Sequence, residues 1–257
     1  MNGAFYIGAT GLLAQQGAVD IVGHNIANVN TVAFKRGIAD FATLVASAPS
    51  AVRATSSAPS GDPVDQGVML VSGLRTFSQG ELRETGNAMD LAIRGEGFVE
   101  LQSAGGEPLL WRGGTLHVDD DGHLAVASGE TLKATIAVPS DATGITIDAE
   151  GRIRATVPDR AESVELGQLE LVLAADVRAL RPRGEGIFEA DENAALTRLK
   201  PGEERAGAMV QGFLERSNVQ LSDEMVNLLI FQRAYAANAR VVQAGDELMG
   251  IVNGLRR

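Results

Sequence analysis

Apolar positions recur at seven-residue steps near the start of the chain: Phe5, Leu12, Val19 and Ile26, with Val22 and Val29 at the alternate position. Toward the other end, one seam runs through Leu221, Met225, Leu228, Tyr235, Ala239 and Val242. A second runs through Phe231, Ala234, Val241, Leu248 and Leu255. A 3.5-residue repeat is the period of a coiled coil rather than of an ordinary globular helix. The pattern predicts one helix over about residues 3–28 and another from Ser222 to Gly254. The second would run on the order of 50 Å at ~1.5 Å per residue. Asn25, Asn28 and Asn30 close the first, asparagine being a residue that tolerates left-handed helix stops. Ser222 is the expected N-cap of the second, with Asp223 and Glu224 in its first turn and Arg256 and Arg257 in its last, where each charge suits the helix dipole. Helices striped in this way are expected to pack on each other and on neighbouring copies, which puts assembly ahead of catalysis.

Between these ends the texture changes. Residues 46–67 are rich in Ser, Ala, Pro and Gly and read as an extended linker. From Val68 short apolar-alternating runs follow: Val68–Leu74, Leu91–Ile93, Phe98–Leu101, Leu116–Val118, Leu124–Val126, Ile145–Ile147, Ile153–Val157 and Leu166–Leu173. Turn signals such as Asp121-Gly122, Ser128-Gly129 and Glu150-Gly151 punctuate them, the pattern of an all-β domain. Arg94-Gly95-Glu96-Gly97-Phe98 recurs loosely as Arg183-Gly184-Glu185-Gly186-Ile187-Phe188. Neither completes a G-x-G-x-x-G fingerprint or opens a helix, so both read as turns entering strands.

The fold class expected is therefore α+β: long N- and C-terminal helices forming a helical coiled-coil domain, with an inserted all-β middle. Its divisions are 1–36 with 215–257 for the helical part, 37–67 for the extended linker and 68–214 for the β-rich part. Charge sharpens this division. The formal net charge is −11, and residues 46–214 hold the whole excess, 26 acids against 15 bases. Near-neutral, apolar-striped ends suit an interface, and an acidic middle suits a solvated surface. Such a surface repels nucleic acid, which needs a basic footprint. There is no cysteine, hence no disulfide, thiolate metal site or cysteine nucleophile. No apolar run is long enough to span a bilayer, and the first residues lack the pattern of a cleavable signal peptide.

Candidate chemistry is thin. The histidines are His24, His117 and His123, and the last two flank Asp119, Asp120 and Asp121. An EF-hand loop counted from Asp119 would place its glutamate at Glu130, but Gly122 comes too early and Ala125 and Ala127 replace ligands. An aspartate-rich β-turn accounts for the cluster better. No G-x-S-x-G, H-E-x-x-H or P-loop occurs. No catalytic residue, cofactor site or metal site is expected.

Several motifs point further. Gly11-Leu12-Leu13-Ala14-Gln15-Gln16 is followed by Asn25-Ile26-Ala27-Asn28-Val29-Asn30-Thr31-Val32-Ala33-Phe34-Lys35-Arg36. Near the other end stand Ser217-Asn218-Val219, Glu224-Met225-Val226-Asn227-Leu228, Gln232-Arg233-Ala234-Tyr235 and Asn238. Between them, Gly86-Asn87-Ala88-Met89-Asp90-Leu91-Ala92-Ile93-Arg94-Gly95-Glu96-Gly97-Phe98 completes the set. The chain resembles the bacterial flagellar rod and hook proteins at both ends and in the first third of the middle. Asn25, Asn28, Asn30, Thr31, Phe34, Lys35, Gln232, Arg233 and Asn238 carry the family motif. Two departures are Ala33, where the family usually has glycine, and Val99, where it often has an aromatic. A glycine at 33 would serve a positive φ, so Ala33 puts the local turn geometry in question.

The resemblance implies a structural subunit exported through the flagellar type III apparatus without a cleavable signal peptide. It would polymerise into the hollow basal-body rod that crosses the periplasm and carries torque from motor to hook. Its partners would be copies of itself and other rod and hook proteins. The length resembles the rod subunits rather than the longer hook subunit. Ser217-Asn218-Val219 followed by Gln232-Arg233-Ala234-Tyr235, and the long segment between Arg36 and Val68, look most like a distal rod subunit, with proximal rod subunits as the alternative. The expected assembly interface is Phe5, Leu12, Val19, Ile26, Met225, Leu228, Tyr235 and Val242. Two other classes stay open: a coiled-coil adaptor, which would form a finite oligomer, and an enzyme or ligand-binding β-domain, which would need a pocket with convergent polar groups.

Overall fold

A computed structural model of the 257-residue chain describes residues 2–45, 65–71, 73–103, 106–134, 136–158, 163–191, 194–203 and 205–255. Two long helices bracket the strands: α1 (Asn2–Ala27) and α2 (Leu221–Leu255). The first strands are β1 (Asp40–Val45), β2 (Asp65–Val71), β3 (Leu82–Glu84), β4 (Asp90–Arg94), β5 (Phe98–Leu101), β6 (Leu109–Trp111), β7 (Gly113–Val118) and β8 (Leu124–Val126). Then come β9 (Gly144–Ile147), β10 (Arg152–Thr156), β11 (Val164–Gln168), β12 (Leu171–Ala174), β13 (Leu180–Gly184) and β14 (Ile187–Ala190). The series closes with β15 (Leu196–Leu199), β16 (Ala208–Gln211) and β17 (Phe213–Glu215). The chain divides into two compact units, each drawn from separated stretches: Met1–Ile26 with Gly37–Leu74 and Gln220–Arg257, and Ala27–Arg36 with Arg75–Val219.

The first unit holds α1, α2 and the antiparallel pair β1–β2, whose register runs from Asp40 opposite Val71 to Val45 opposite Asp65. Residues 46–64, most of the expected linker, lie outside the described residues, but both flanks of that segment pair as strands. The two helices are present near their expected bounds, yet the coiled-coil domain is not. Phe5, Met225 and Tyr235 are 52%, 53% and 43% exposed, so the heptad seams are not interlocked as knobs in holes. What α1 buries instead is a neighbouring stripe of small residues, Gly8, Gly11, Ala14 and Ala18, continued by Val22 and Asn25. A methyl group placed on Gly8 would lie 2.7 Å from Val242 Cγ2, and one on Gly11 would lie 2.7 Å from the Asn238 amide nitrogen. The helices thus approach through missing side chains. The β1–β2 pair also takes part of the surface a second coil strand would need: Phe41 meets Phe231 at a ring-centroid distance of 6.0 Å, and Leu70 reaches Gly17 of α1. Helix α2 begins at Leu221, so Ser222 stands inside the first turn rather than capping it.

The second unit is β-rich, as the short alternating runs predict, and is built of several sheets. A six-stranded sheet has the order β13-β14-β6-β5-β12-β15, and a four-stranded sheet has the order β16-β4-β7-β8. Three strands pair as β11-β10-β9 and two as β17-β3. The expected single strand Leu166–Leu173 is two strands, β11 and β12, in different sheets. The six-stranded sheet is covered on both faces, which is why its central strands read as continuous apolar runs. Val99, Leu101, Leu109, Trp111, Leu171 and Ile187 point into one core with Leu91 and Ile93 of β4. Phe98, Leu110, Val172 and Phe188 point into a second core on the opposite face. There Phe77, Phe98 and Phe188 meet edge to face at 5.1–5.9 Å, a favoured arrangement of aromatic quadrupoles.

Candidate functional site: a buried ionic cluster and two striped helices

Within the second unit the turn after α1 and the link between β6 and β7 converge on a carboxylate carried by β17. Glu215 Oε1 accepts from Lys35 Nζ at 2.5 Å and from the Gly80 amide at 2.9 Å, and its Oε2 accepts from Arg112 Nε at 2.9 Å. All three charged side chains are buried, with exposures of 0% for Glu215, 1% for Lys35 and 4% for Arg112. Two cations against one anion would be costly in a dry interior unless the remaining donors were met. They are met by backbone: Lys35 Nζ also donates to Ser78 O, while Arg112 Nη1 and Nη2 donate to Gly97 O and Gly95 O at 2.6 Å each. Gly95 and Gly97 adopt φ of +107° and +127°, which turns both carbonyls onto the guanidinium without a side-chain penalty. Gly80 is required for a different reason, since a Cβ there would stand 1.9 Å from Arg216 O. Burial pulls the Lys35 ammonium below its ordinary pKa, the Glu215 carboxylate opposes that pull, and nearby Arg112 adds to it.

The rest of the turn docks on the same framework. The Ala33 amide donates to Glu215 O, and Ala33 itself holds φ +55° with no exposure, the left-handed position expected where the family usually has glycine. Asn218 accepts from the Arg36 amide at 2.7 Å and donates to Thr76 O and Ser78 O. Phe34 lies under the Arg75 guanidinium at 5.4 Å, Thr31 Oγ1 donates to Asn28 Oδ1, and Asn30 is exposed. In the first unit, Asn25 is 1% exposed; its amide donates to Gly37 O and to Glu224 Oε2, and its oxygen accepts from the Gly37 amide. Its role is to pin the chain beyond α1 back to α1 and to the start of α2. Gln232 and Arg233 are exposed on α2, and Asn238 is half-buried against Gly11.

Among the expected interface residues, Phe5, Met225 and Tyr235 are exposed, while Leu12, Val19, Ile26, Leu228 and Val242 are half-buried within their own unit. A longer apolar stripe lies open on α2, through Val226, Ile230, Val241, Leu248 and Ile251, each 48–60% exposed, with Phe5, Tyr6, Ile7 and Leu13 open on α1. Sequence reasoning missed Glu215 and Arg112. Arg112 could have been found as a charge closing the apolar run Leu109-Leu110-Trp111 before Gly113-Gly114; nothing local marks Glu215.

The aspartate-rich segment is a turn. Asp119 Oδ1 accepts from the His123 amide at 2.6 Å, and no group of residues able to hold a metal ion occurs among the described residues. A cleft of about 480 Å³ opens beside the ionic cluster, walled by Phe77, Phe98, Arg112, Val177 and Arg205, but Arg112 is paired with Glu215 and Arg205 with Glu96. Among the described residues, no helix is long and apolar enough to cross a membrane.

Three family models match the chain: the flagella basal body rod protein at residues 5–35, the flagellar hook protein FlgE/F/G D1 domain at 92–155, and the flagellar basal body rod FlgEFG protein C-terminal at 210–255. The chain is 33% identical over 256 residues to the flagellar basal-body rod protein FlgG of Agrobacterium fabrum, covering 97% of this chain and 98% of that one. It is 34% identical over 251 residues to FlgG of Buchnera aphidicola from Acyrthosiphon pisum, covering 96% of each. The flagellar basal-body rod protein FlgF of Caulobacter vibrioides is 29% identical, over 96% of this chain and 95% of its own length.

Proposed function

The chain belongs to the flagellar basal-body rod protein family, and from that premise we propose that it builds the distal segment of the rod. It is a structural subunit of the flagellar basal body. End-to-end similarity to the FlgG proteins of Agrobacterium fabrum and Buchnera aphidicola, at 33% and 34% identity against 29% for the FlgF protein, favours the distal position. The observation that carries a polymerising role is the open apolar stripe on α2 with its counterpart on α1. A hydrophobic stripe of this length has no use on a monomer in water, whereas unlike surfaces meeting head to tail generate an open helical filament. The interface on this reading is the exposed set Phe5, Met225 and Tyr235 with the Val226–Ile251 stripe, and Leu12, Val19, Ile26, Leu228 and Val242 form the inner rim beneath it. The subunit reaches the growing end unfolded, through the flagellar export apparatus, and transmits torque by many parallel contacts between copies and to adjoining rod and hook proteins.

The test is electron microscopy of the purified protein at rising concentration, with Val241→Asp as the comparison. Wild type should form straight tubes. Val241 is 48% exposed, so the variant should melt as wild type does and form none. A closed oligomer of fixed size for wild type would instead favour an adaptor.

A further inference from the structure

Residues 206–219 close the second unit at several separate places. β16 forms the edge of the four-stranded sheet by pairing with β4, Met209 opposite Ile93. β17 is the partner of β3. Ala206 and Met209 enter the main core, and the Gly207 amide donates to Glu96 O. Glu215 supplies the anion for Lys35, 180 residues earlier, and for Arg112, 103 residues earlier. Asn218 ties Arg36, Thr76 and Ser78 together. Without this one segment, β3 and one side of β4 are unpaired, the Ala33 and Arg36 amides lose their acceptors, and two cations are left in the core without a counter-charge. Each loss is of a long-range contact, whose chain-closure entropy must be met before it stabilises anything.

We propose that residues 206–219 are a latch. The second unit reaches its folded state only when this segment joins, and a chain whose residues 206–219 have not yet arrived stays unfolded from β3 onward. The latch itself needs nothing from the rod reading. If that reading holds, its use is plain: a subunit delivered as an extended chain cannot fold before the whole second unit has been delivered.

The experiment uses the complete chain carrying a specific protease site inserted between Gly202 and Glu203, both exposed in a turn. The native protein is cut there, unfolded in denaturant with both pieces kept together, and diluted to refold while Trp111 emission is followed. Trp111, the only tryptophan, is 2% exposed in the core. With the latch, recovery of the buried emission becomes second order, speeding about tenfold when both pieces are made tenfold more concentrated. Recovery at a rate independent of concentration overturns the proposal. Should the pieces precipitate, hydrogen exchange on the uncut Glu215→Gln chain decides. Equal loss of protection at β3, β4, β5 and β6 supports the latch; loss confined to residues 31–36, 78–84 and 206–219 overturns it.

Discussion

Replacing Glu215 by glutamine keeps the shape of the side chain and removes its charge, which isolates what the carboxylate does. Lys35 and Arg112 would then lie buried together with no anion, and the new amide would point an N–H at groups that are themselves donors. Breaking a buried pair in this way costs roughly 3–5 kcal/mol. At roughly 2–4 °C per kcal/mol for a domain of 150–250 residues, the second unit's transition should fall by about 10 °C. Lys35→Met leaves the Glu215–Arg112 pair intact and gives up one lysine's hydrogen bonds, a loss of about 1–2 kcal/mol. The double variant removes the repulsion as well, so the two changes should combine with a coupling above about 1 kcal/mol. Alkali gives a second reading. Burial already holds the folded-state pKa of Lys35 below 10.5, against the pull of Glu215, so removing the carboxylate lowers it further. Between the folded and unfolded values the unfolded chain binds more protons, so stability rises with pH in that window. The deficit of Glu215→Gln should therefore shrink as pH rises from about 7 toward 10. Thermal melts followed by Trp111 emission measure both effects. A drop under about 3 °C, or a deficit that ignores pH, would refute the account of the cluster as a charge-balanced lock.

Four further outcomes are expected. Gly23→Ala, at an exposed α1 position with open space around it, should stabilise the first unit by about 0.5–1 kcal/mol in chemical melts. Gly11→Leu, driven into the Asn238 side chain, should lower helical circular dichroism and abolish tubes. Burial alone would raise the Glu100 carboxyl, but hydrogen bonds and charge from Arg198 and Lys133 outweigh it and hold the group below the usual glutamate range. That stability is present above the unfolded pKa and lost as pH falls through the folded one, so Glu100→Gln should melt below wild type at pH 7 and converge with it in acid. Deleting residues 47–62 should leave both units folded and tubes still forming, but bendable in micrographs, if the segment wedges between neighbouring copies; tubes as straight as wild type would exclude the wedge.

The sequence by itself determined the elements whose cause is local. Heptad spacing located both helices, and the runs Phe98–Leu101 and Leu124–Val126 were legible to the residue, because a short apolar run with flanking turns is written within a few positions. Ala33, in a place the family gives to glycine, left the turn geometry in question, and the structure keeps the left-handed backbone there at φ +55°. Which stripe of α1 would be buried was not legible: hydropathy singles out Phe5 and Leu12, but Gly8 and Gly11 let a backbone approach, and closeness of approach is a property of two surfaces, not one. β17 and the role of Glu215 were equally hidden. A lone glutamate at the end of a short strand looks solvated until two cations from 103 and 180 residues away are folded against it. Burial, and with it the difference between a surface charge and a lock, is decided by what the rest of the chain brings to the same place, and only the tertiary structure holds that information.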